Sequence, residues 1–543
     1  MKKRNRIIGK SVISFFLAAT MVFGLCGCSK DKGKNPAEEH VSAPDETDDN
    51  YRVFYEIFAG SFSDSNGDGK GDLKGIINRL DYLNDGDVNS EESLGIQGIW
   101  LTPIFSSPSY HKYDVMNYYK IDSSMGTEED LKELLEKCHE RNVKVILDLV
   151  INHTSNQNTW FSSFVAAHKS GDTEDEFYDF YSWCKKSDCK GGVKYNKIQG
   201  TTDEFYECNF SPDMPELNYD NEKVREEMLK VAKYYLDLGV DGFRFDAVKY
   251  IYYNDTTRSA DFWKWYVGEL KAYKEDIYTV GECWSGETET LAYVEAGLNC
   301  FNFQTSQPEG HIANAVKSQN INSYASYIER YQDAIQKANA DGMMCNFISN
   351  HDMDRASGYL PPDMFRAQMA ANLYLLCSGS PYLYYGEEIG IKGTRGSANT
   401  DANRRLAMLW GDGDSISDPV GTSYSIDGQI NGTVADQKKD ENSLFHYYCK
   451  VLTIRNRNPE IPRGDYKAVQ CGSKEFGGFE ITYNGATSLL LHNLSTEEKE
   501  IDLSEITGIT GEYSKIAEYI GMDSAKLDGT KLVVGPQTSV LIK

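Results

Sequence analysis

The stretch GVDGFRFDAVKY, residues 239–250, decides the fold because it reads as a buried strand that carries two charges. Side chains two residues apart in a strand point to the same face, so Arg244 and Asp246 share one face while Phe243 and Phe245 share the other. Burying an unpaired guanidinium or carboxylate is strongly unfavourable. The polar face must therefore pair its charges, reach water or carry out chemistry.

The composition of the chain indicates a globular protein with a neutral partner. Its 543 residues are 40% hydrophobic, enough for one large core and smaller units. The formal net charge of −26 argues against nucleic acid or an anionic membrane surface as the main partner, because both select basic patches. The 36 tyrosines and 7 tryptophans offer faces on which sugar rings stack, although such surfaces also occur without that role.

Short apolar strands alternate with amphipathic helical stretches from about residue 52 to residue 457. The predicted strands lie in segments 52–58, 95–103, 143–152, 240–248, 277–284, 300–304, 343–350 and 380–388. Eight strand-then-helix units predict an α/β chain with a parallel (β/α)₈ TIM barrel. An open, doubly wound sheet is the alternative, but no glycine-rich phosphate fingerprint follows its first strand.

Two further units interrupt or follow the barrel pattern. The connection after the third strand is too long for an unstructured loop, so residues 153–218 are predicted to form a small inserted domain. The helical pattern stops near residue 460, and alternating strands with turn signals follow. We therefore expect barrel segments at 51–152 and 219–460 and a C-terminal β-sandwich at 461–543.

The N-terminus has the features of an export signal. A cationic start precedes an apolar run of about 15 residues, which is too short for a permanent membrane span and typical of a signal peptide over residues 1–27. The following LCGCSK resembles the bacterial lipobox and makes Cys28 the candidate lipidation site, whereas ordinary cleavage with an incidental cysteine is the alternative. Residues 28–50 are polar and acidic, as in a flexible tether. These features predict an exported protein held at the cell surface by a lipid anchor.

The chain has 12 cysteines, and the ten that follow the signal peptide and Cys28 lack the spacing of a metal finger. Cys184, Cys189 and Cys208 lie in one short stretch where one disulfide is possible, with one cysteine left over. Cysteines in apolar helix or strand contexts are expected to be small core residues: Cys138, Cys283, Cys345 and Cys377.

Polar residues cluster where the predicted strands end, which is the functional face of a TIM barrel. The third strand ends in Asp148, Asn152 and His153, the fourth carries Arg244 and Asp246, the fifth ends at Glu282, and the seventh ends in His351 and Asp352. A single polar residue of this kind is more often structural than functional. Three acids, one fixed cation and two histidines together, without a nucleophilic serine or cysteine motif, favour cleavage of an acetal.

Four of these segments resemble the signature regions of glycoside hydrolase family 13, the α-amylase family. They are DLVINH (148–153), GFRFDAVKY (242–250), VGECW (280–284) and FISNHD (347–352), in that order. Segments 98–122 and MPELN (214–218) resemble two further regions, so the resemblance covers residues 50–543. It implies a retaining glycosidase that needs no redox cofactor.

The resemblance also implies roles for individual residues. Asp246 is expected to be the nucleophile, Glu282 the general acid and then base, and Asp352 the carboxylate that steadies the distorted sugar. Arg244 is expected to keep the nucleophile ionised, and the apolar setting of Glu282 to raise its pKa. The remaining substrate contacts are Tyr113 below the sugar ring and His153 and His351 on sugar hydroxyls.

The loop DSNGDGKGD, residues 64–72, is a candidate Ca²⁺ site. Oxygen-bearing side chains with glycines at a sharp turn suit a hard cation. The candidate ligands are Asp64, Asn66, Asp68 and Asp72, to which the resemblance adds the carbonyl of Lys70. The loop begins like an EF-hand, but its twelfth position is Gly75, and a solvated acidic turn is the alternative.

Departures from the family pattern bear on the substrate. Tyr110 stands where exo-acting relatives carry an Asp, which favours an endo-acting cleft, and Ala247 stands where α-1,6-specific relatives carry Val, which favours α-1,4 bonds. Tyr250 replaces a histidine whose backbone helps to hold a second Ca²⁺ in many relatives. We predict a monomeric α-amylase acting on starch, maltodextrin and maltooligosaccharides. A 4-α-glucanotransferase, an α-glucosidase or neopullulanase type, and a catalytically silent oligosaccharide-capturing lipoprotein remain alternatives.

Overall fold

The computed structural model describes residues 49–543 and contains a barrel of eight parallel strands. We number these strands β1 to β8 in chain order. They are β1 (Phe54–Ile57), β2 (Gly98–Leu101), β3 (Lys144–Leu149), β4 (Gly242–Phe245), β5 (Tyr278–Gly281), β6 (Asn299–Asn302), β7 (Cys345–Asn346) and β8 (Tyr382–Tyr384).

The order of strands in the sheet follows the order in the chain. Each strand from β1 to β7 pairs in parallel with its sequence neighbour, and β1 also pairs with β8. A parallel bridge between Phe347, just after β7, and Tyr382 of β8 completes the ring. The predicted barrel is therefore confirmed, and the alternative of an open doubly wound sheet is excluded.

Helices cover the outside of the barrel. The longer ones are Glu128–His139, Glu222–Asp237, Thr256–Tyr273, Glu287–Glu295, His311–Ser318, Ile321–Ala338, Met364–Leu375 and Leu444–Arg457. Shorter helices are Leu73–Asn78, Leu80–Leu83, Ala356–Tyr359, Val434–Gln437 and Glu460–Arg463.

Strand β4 shows how the sequence pattern separates the two faces. The ring of Phe245 packs 4.9 Å from that of Trp263 in helix Thr256–Tyr273, so the aromatic face points to the helices. The other face looks into the barrel, where the Arg244 guanidinium lies 5.2 Å from the Trp100 ring. The first residue of the strand, Gly242, has to be a glycine because a Cβ there would lie 1.9 Å from the Tyr278 carbonyl oxygen. The alternation of residues 242–245 therefore orients one aromatic face outward and one charged face inward.

A separate apolar cluster fills the barrel interior below the charged residues. It includes large side chains from most of the barrel strands, listed here by strand order: Phe54, Trp100, Ile146, Tyr278, Val280, Phe301, Cys345 and Tyr382. The larger core lies between the strands and the helices. Because side chains close the barrel, substrate can reach the charged face only from the carboxyl ends of the strands.

The long connection between β3 and β4 has its own secondary structure. Helix Thr159–Ser170 precedes a three-stranded antiparallel sheet formed by Trp183–Lys185, Tyr195–Lys197 and Glu204–Glu207. Cys184 and Cys189 form a disulfide in this segment, which leaves Cys208 as a buried free thiol. The four cysteines expected in the core are also free and buried.

The C-terminal region consists of two antiparallel sheets. One contains Asp465–Ser473, Phe476–Tyr483, Ala486–Asn493, Ile516–Gly521 and Thr538–Ile542, and the other contains Lys499–Asp502, Ala525–Asp528 and Lys531–Val534. Both sheets contribute to one apolar cluster, which includes Leu489 from the first and Leu532 from the second. The expected all-β domain is confirmed.

The proposed signal peptide, Cys28 and all but the end of the tether lie outside the described residues. From residue 49 onward, no helix combines the length and apolar character that crossing a membrane requires.

Candidate active site

The polar side chains predicted at the strand ends meet around Arg244 at the open end of the barrel. Arg244 is fully buried on β4. Its Nη1 donates to both oxygens of Asp148 at 2.8 and 2.9 Å and to Oδ1 of Asp246 at 2.8 Å, and its Nη2 donates to Oε2 of Glu282 at 2.8 Å. One guanidinium therefore joins carboxyl groups from three neighbouring strands.

The backbone turns sharply between the two candidate catalytic carboxyls. Ala247, directly after Asp246, has a left-handed conformation with φ of 51° and ψ of 41°. This conformation is strained for a residue with a Cβ. It directs the Ala247 N–H to Oε2 of Glu282 at 3.2 Å, so the turn after β4 helps to hold the carboxyl that follows β5.

The environment of Glu282 favours its protonated form. Burial raises its pKa to about 8, and the negative charges of Asp246 and Asp352 act in the same direction against the attraction of Arg244. A carboxyl with this pKa carries its proton at neutral pH. Glu282 therefore has the protonation state of a general acid.

Asp352 has the opposite protonation state because two cations contact it. Its Oδ2 lies 3.0 Å from Nε2 of His351, and its Oδ1 accepts from Nη2 of Arg405 at 2.7 Å. Burial opposes ionisation, but His351 and then Arg405 hold the pKa of Asp352 well below its usual range. Asp352 is consequently a fixed negative charge at the rim.

A second carboxyl group, that of Glu56, stabilises the positive charge of His351. Its Nδ1 lies 2.5 Å from Oε1 of Glu56, a buried residue of β1. Burial alone would lower the pKa of His351, but Asp352 and Glu56 together raise it to about 10. Both ring nitrogens therefore contact protein carboxylates.

Tyr113 connects the two halves of the site. Its hydroxyl donates to Oδ2 of Asp148 at 2.8 Å and lies 2.7 Å from Nε2 of His351. Its ring lies parallel to the His351 ring, with the ring centres 5.5 Å apart. The tyrosine is 9% exposed, so only one edge or face is available to a ligand.

His153 stands at another side of the site with an unsatisfied ring nitrogen. The side chain is 2% exposed, and its Nε2 has no hydrogen-bond partner among residues 49–543. Burial lowers the pKa of His153, which keeps the ring neutral. A neutral imidazole with a free nitrogen suits a hydrogen bond to a sugar hydroxyl.

The candidate Ca²⁺ loop has a different, self-contained geometry. Gly67 and Gly69 adopt left-handed φ values of 85° and 84°, and Asp64 accepts from the N–H groups of Asn66, Gly67 and Gly69. Asp72 caps helix Leu73–Asn78 through the N–H of Gly75 at 2.7 Å. Within the described chain, no group of three or more His, Cys, Asp and Glu side chains is arranged to hold a metal ion.

Comparison with known proteins identifies the family. Residues 56–464 match the model of the alpha-amylase catalytic domain. The chain belongs to the α-amylase family. The chain is therefore a member of a glycoside hydrolase family, and its most similar relatives include a protein named alpha-amylase.

Similar proteins match between 76% and 91% of the chain. Alpha-amylase 3 of Dictyoglomus thermophilum is 34% identical over 90% of this chain and 93% of its own length. A 4-alpha-glucanotransferase of Thermotoga neapolitana is 30% identical over 76% of this chain and 90% of its own length. The solved structure of Eubacterium rectale Amy13B is 34% identical, covers 91% of this chain and 95% of its own, and superposes with a TM-score of 0.83.

Sequence reasoning did not assign roles to three residues that shape this α-amylase-family site. Asp148 lies near the end of its strand, and its register opposite Arg244 makes the ion pair. Glu56 is a single charge within the apolar strand FYEI, which is the same kind of signal as the charges on β4. Arg405 lies in the loop after β8, and no sequence pattern indicated its contact with Asp352.

The raised pKa of Glu282 predicts the alkaline side of the pH profile. We expect kcat/KM for maltotetraose to fall as pH rises above about 8, because the carboxyl then loses the proton that the leaving oxygen needs. Initial rates between pH 5 and about 10 measure this limb. Maltosyl fluoride, whose leaving group needs no proton, is the control, and an equally steep limb with that substrate would contradict the assignment.

The contact between Glu56 and His351 predicts a variant whose defect grows with pH. Glu56→Gln removes one negative charge, so the pKa of His351 should fall from about 10 toward the ordinary value of about 6.5. Asp352 still raises that pKa, so a larger fraction of the ring becomes neutral at pH 8 to 9, and we expect kcat to fall several-fold there and much less near pH 6. Glu269→Gln, an exposed substitution on helix Thr256–Tyr273, is the matched control. A defect that is constant with pH would show that Glu56 has only a structural role.

Proposed function

We propose that this protein is an endo-acting, retaining α-amylase that hydrolyses α-1,4-glucosidic bonds in starch, maltodextrin and maltooligosaccharides. The observation that carries the proposal is the shared guanidinium of Arg244, which binds Asp246 and Glu282 at 2.8 Å each. Retaining glycosidases need two carboxyl groups about 5 Å apart, one ionised and one protonated. A common cation holds two carboxyls at close range, and the burial of Glu282 supplies the difference in protonation.

The geometry supports a double-displacement mechanism. Asp246 attacks the anomeric carbon while Glu282 gives its proton to the glycosidic oxygen, so a covalent glycosyl ester forms as the leaving sugar departs. Glu282, now ionised, takes a proton from water, and the resulting hydroxide displaces Asp246 from the anomeric carbon. Asp352 stays ionised throughout and stabilises the positive charge that develops on the sugar ring.

Residues beside the catalytic groups support the choice of bond and the internal mode of cleavage. Tyr110 occupies the position where exo-acting relatives carry an Asp that binds a terminal glucose. Its hydroxyl accepts a hydrogen bond from Nη1 of Arg405 at 3.0 Å. The cleft therefore has no carboxylate at this position with which to select chain ends. Ala247, directly after the nucleophile, has a smaller side chain than the Val of α-1,6-specific members, which favours α-1,4 bonds.

A 4-α-glucanotransferase is the second candidate. It uses the same catalytic groups and differs only in whether water or a sugar hydroxyl displaces Asp246 from the intermediate. The relative from Thermotoga neapolitana bears that name, and the free nitrogen of His153 is available to either kind of acceptor.

The balance of these reactions can be measured on residues 29–543 with soluble starch and with maltotriose. We expect new reducing ends in proportion to shortened chains, with α-configured products. Redistribution of chain lengths without new reducing ends would support the transferase instead. Asp246→Asn should lower kcat by about 10⁴-fold or more without a change in thermal midpoint, because the nucleophile is lost while the side-chain shape is kept. Full activity of that variant would overturn the mechanism, and no turnover by the parent would favour the oligosaccharide-capturing lipoprotein.

We also propose that loop 64–72 binds a structural Ca²⁺. The donor set fits a hard cation, because Asp64, Asn66, Asp68 and Asp72 supply carboxylate and amide oxygens within one turn and the Lys70 carbonyl adds another. Asp64 and Asp68 accept N–H groups of their own loop, so binding of an ion would have to draw the carboxylates together from their present positions. An ion there would supply only a fixed positive charge that tethers the loop after β1.

Calcium binding is tested by thermal unfolding. We expect millimolar Ca²⁺ to raise the thermal midpoint of the chelated protein by about 3 °C or more, and Asp68→Ala to remove that response. Asp87→Ala is the matched control, because Asp87 accepts the N–H of Asn89 at 2.9 Å much as Asp68 accepts that of Lys70 at 2.9 Å. An equal rise in thermal midpoint for the parent, Asp68→Ala and Asp87→Ala would show that Ca²⁺ acts at another site.

We further propose that the protein is exported, anchored to the cell membrane through lipidated Cys28, and monomeric. The cationic start, the apolar run and LCGCSK support the anchor. In a host that processes bacterial lipoproteins, Cys28→Ala should move amylase activity from the membrane fraction to the soluble exported fraction. Retention of the variant in membranes would contradict lipidation at Cys28.

A further inference from the structure

A groove on the outer wall of the barrel lies apart from the catalytic residues. Its volume is about 340 Å³, and it is bounded by the strand Asn117–Ile121, the start of helix Glu128–His139 and the end of helix Glu222–Asp237. Two tyrosines form its walls. The Tyr119 and Tyr234 rings are 5.4 Å apart and nearly perpendicular, at 78°.

Both rings are held in place by their hydroxyl groups. Tyr119 donates to Oε1 of Glu227 at 2.9 Å, and Tyr234 donates to Oε2 of Glu128. Tyr119 is nevertheless 40% exposed. A large aromatic surface is thus presented to solvent in a fixed orientation, with little conformational entropy left to lose when a ligand binds.

The charges near the groove carry both signs. Each carboxylate that holds a tyrosine also contacts a lysine of its own helix: Glu128 with Lys132 at 2.6 Å, and Glu227 with Lys230 at 3.4 Å. The lining also contains Lys120 and hydroxyl groups from Ser123 and Thr127. This balance suits neither a strongly anionic nor a strongly cationic ligand, whereas aromatic faces ringed by polar groups suit a neutral polyhydroxylated one.

We propose that this groove is a second binding site for α-glucan chains, separate from the catalytic cleft. A sugar ring stacks on the exposed face of Tyr119, and its hydroxyls meet the polar groups at the rim. Strand Asn117–Ile121 belongs to the same excursion after β2 that carries Tyr113 into the active site, so the groove is attached to a wall of the cleft. The inference rests on the proposed function for the choice of glucan as ligand.

Such a site holds a polymer without cleaving it and raises the local concentration of chains near the cleft. It should therefore affect long substrates and leave short ones unaffected. This difference separates the groove from the catalytic subsites, which act on both.

The test compares Tyr119→Ala with the parent by affinity electrophoresis in gels containing amylopectin, and by kcat/KM on maltotetraose. We expect the dissociation constant for amylopectin to rise about five-fold, the loss of one stacked ring, with kcat/KM on maltotetraose unchanged. Tyr119→Phe keeps the ring and loses only the bond to Glu227, so it should retain most of the affinity.

Tyr273→Ala is the matched control. Tyr273 is 47% exposed, and its hydroxyl donates to Asp237 at 2.5 Å, but it lines no part of the groove. We expect it to bind amylopectin like the parent. Equal retardation of Tyr119→Ala and the parent would overturn the inference, and so would equal weakening by both alanine variants. A thermal midpoint within about 2 °C of the parent shows that the fold is intact.

The proposed function and the groove fail in distinguishable ways. If the parent does not hydrolyse starch, the proposed function is wrong whatever the gels show. If the parent hydrolyses starch but amylopectin gels retard Tyr119→Ala as much as the parent, the groove inference alone is wrong.

Discussion

The ionic contacts of the Arg244 guanidinium are the constraint on which the rest of the site depends. The side chain is fully buried, so its charge must be matched inside the barrel. Asp148, Asp246 and Glu282 supply that match from the ends of β3, β4 and β5. Since no two of these carboxyls are adjacent in sequence, strands β3, β4 and β5 have to pair in the correct register before the arginine is satisfied. Assembly of the charged cluster therefore depends on the pairing of these three strands.

Because Arg244 contacts several carboxyl groups, the protonation state of each carboxyl depends on its other neighbours. Glu282 is buried beside two other acids and keeps its proton, whereas Asp352 contacts His351 and Arg405 and loses its own. The contact with Glu56 raises the pKa of His351 and keeps its ring charged. The two carboxyls thus differ in protonation because of their neighbours and not because of their residue type, which is what the opposite roles proposed for them require.

Much of the fold could be predicted because periodicity is local. Strand β4 alternates aromatic and charged residues, and the same reading located all eight strands and the change to an all-β domain after residue 460. The disulfide could not be chosen from three cysteines, since pairing depends on the distance between Cα atoms, which is 5.4 Å for Cys184 and Cys189. Arg405 was equally inaccessible, because it reaches Asp352 from a loop with no repeating pattern.

The sequence by itself determined the barrel, the family and the positions of Asp246, Glu282 and Asp352, because strand periodicity and short motifs are written in neighbouring residues. Only the tertiary structure decided which charges meet, since Arg244 finds Glu282 across 38 positions and His351 finds Glu56 across 295. It also decided the protonation of Glu282 and placed Tyr119 against Tyr234 in a second groove. Desolvation and electrostatic interaction depend on distance in space, and distances between remote residues exist only once the chain has folded.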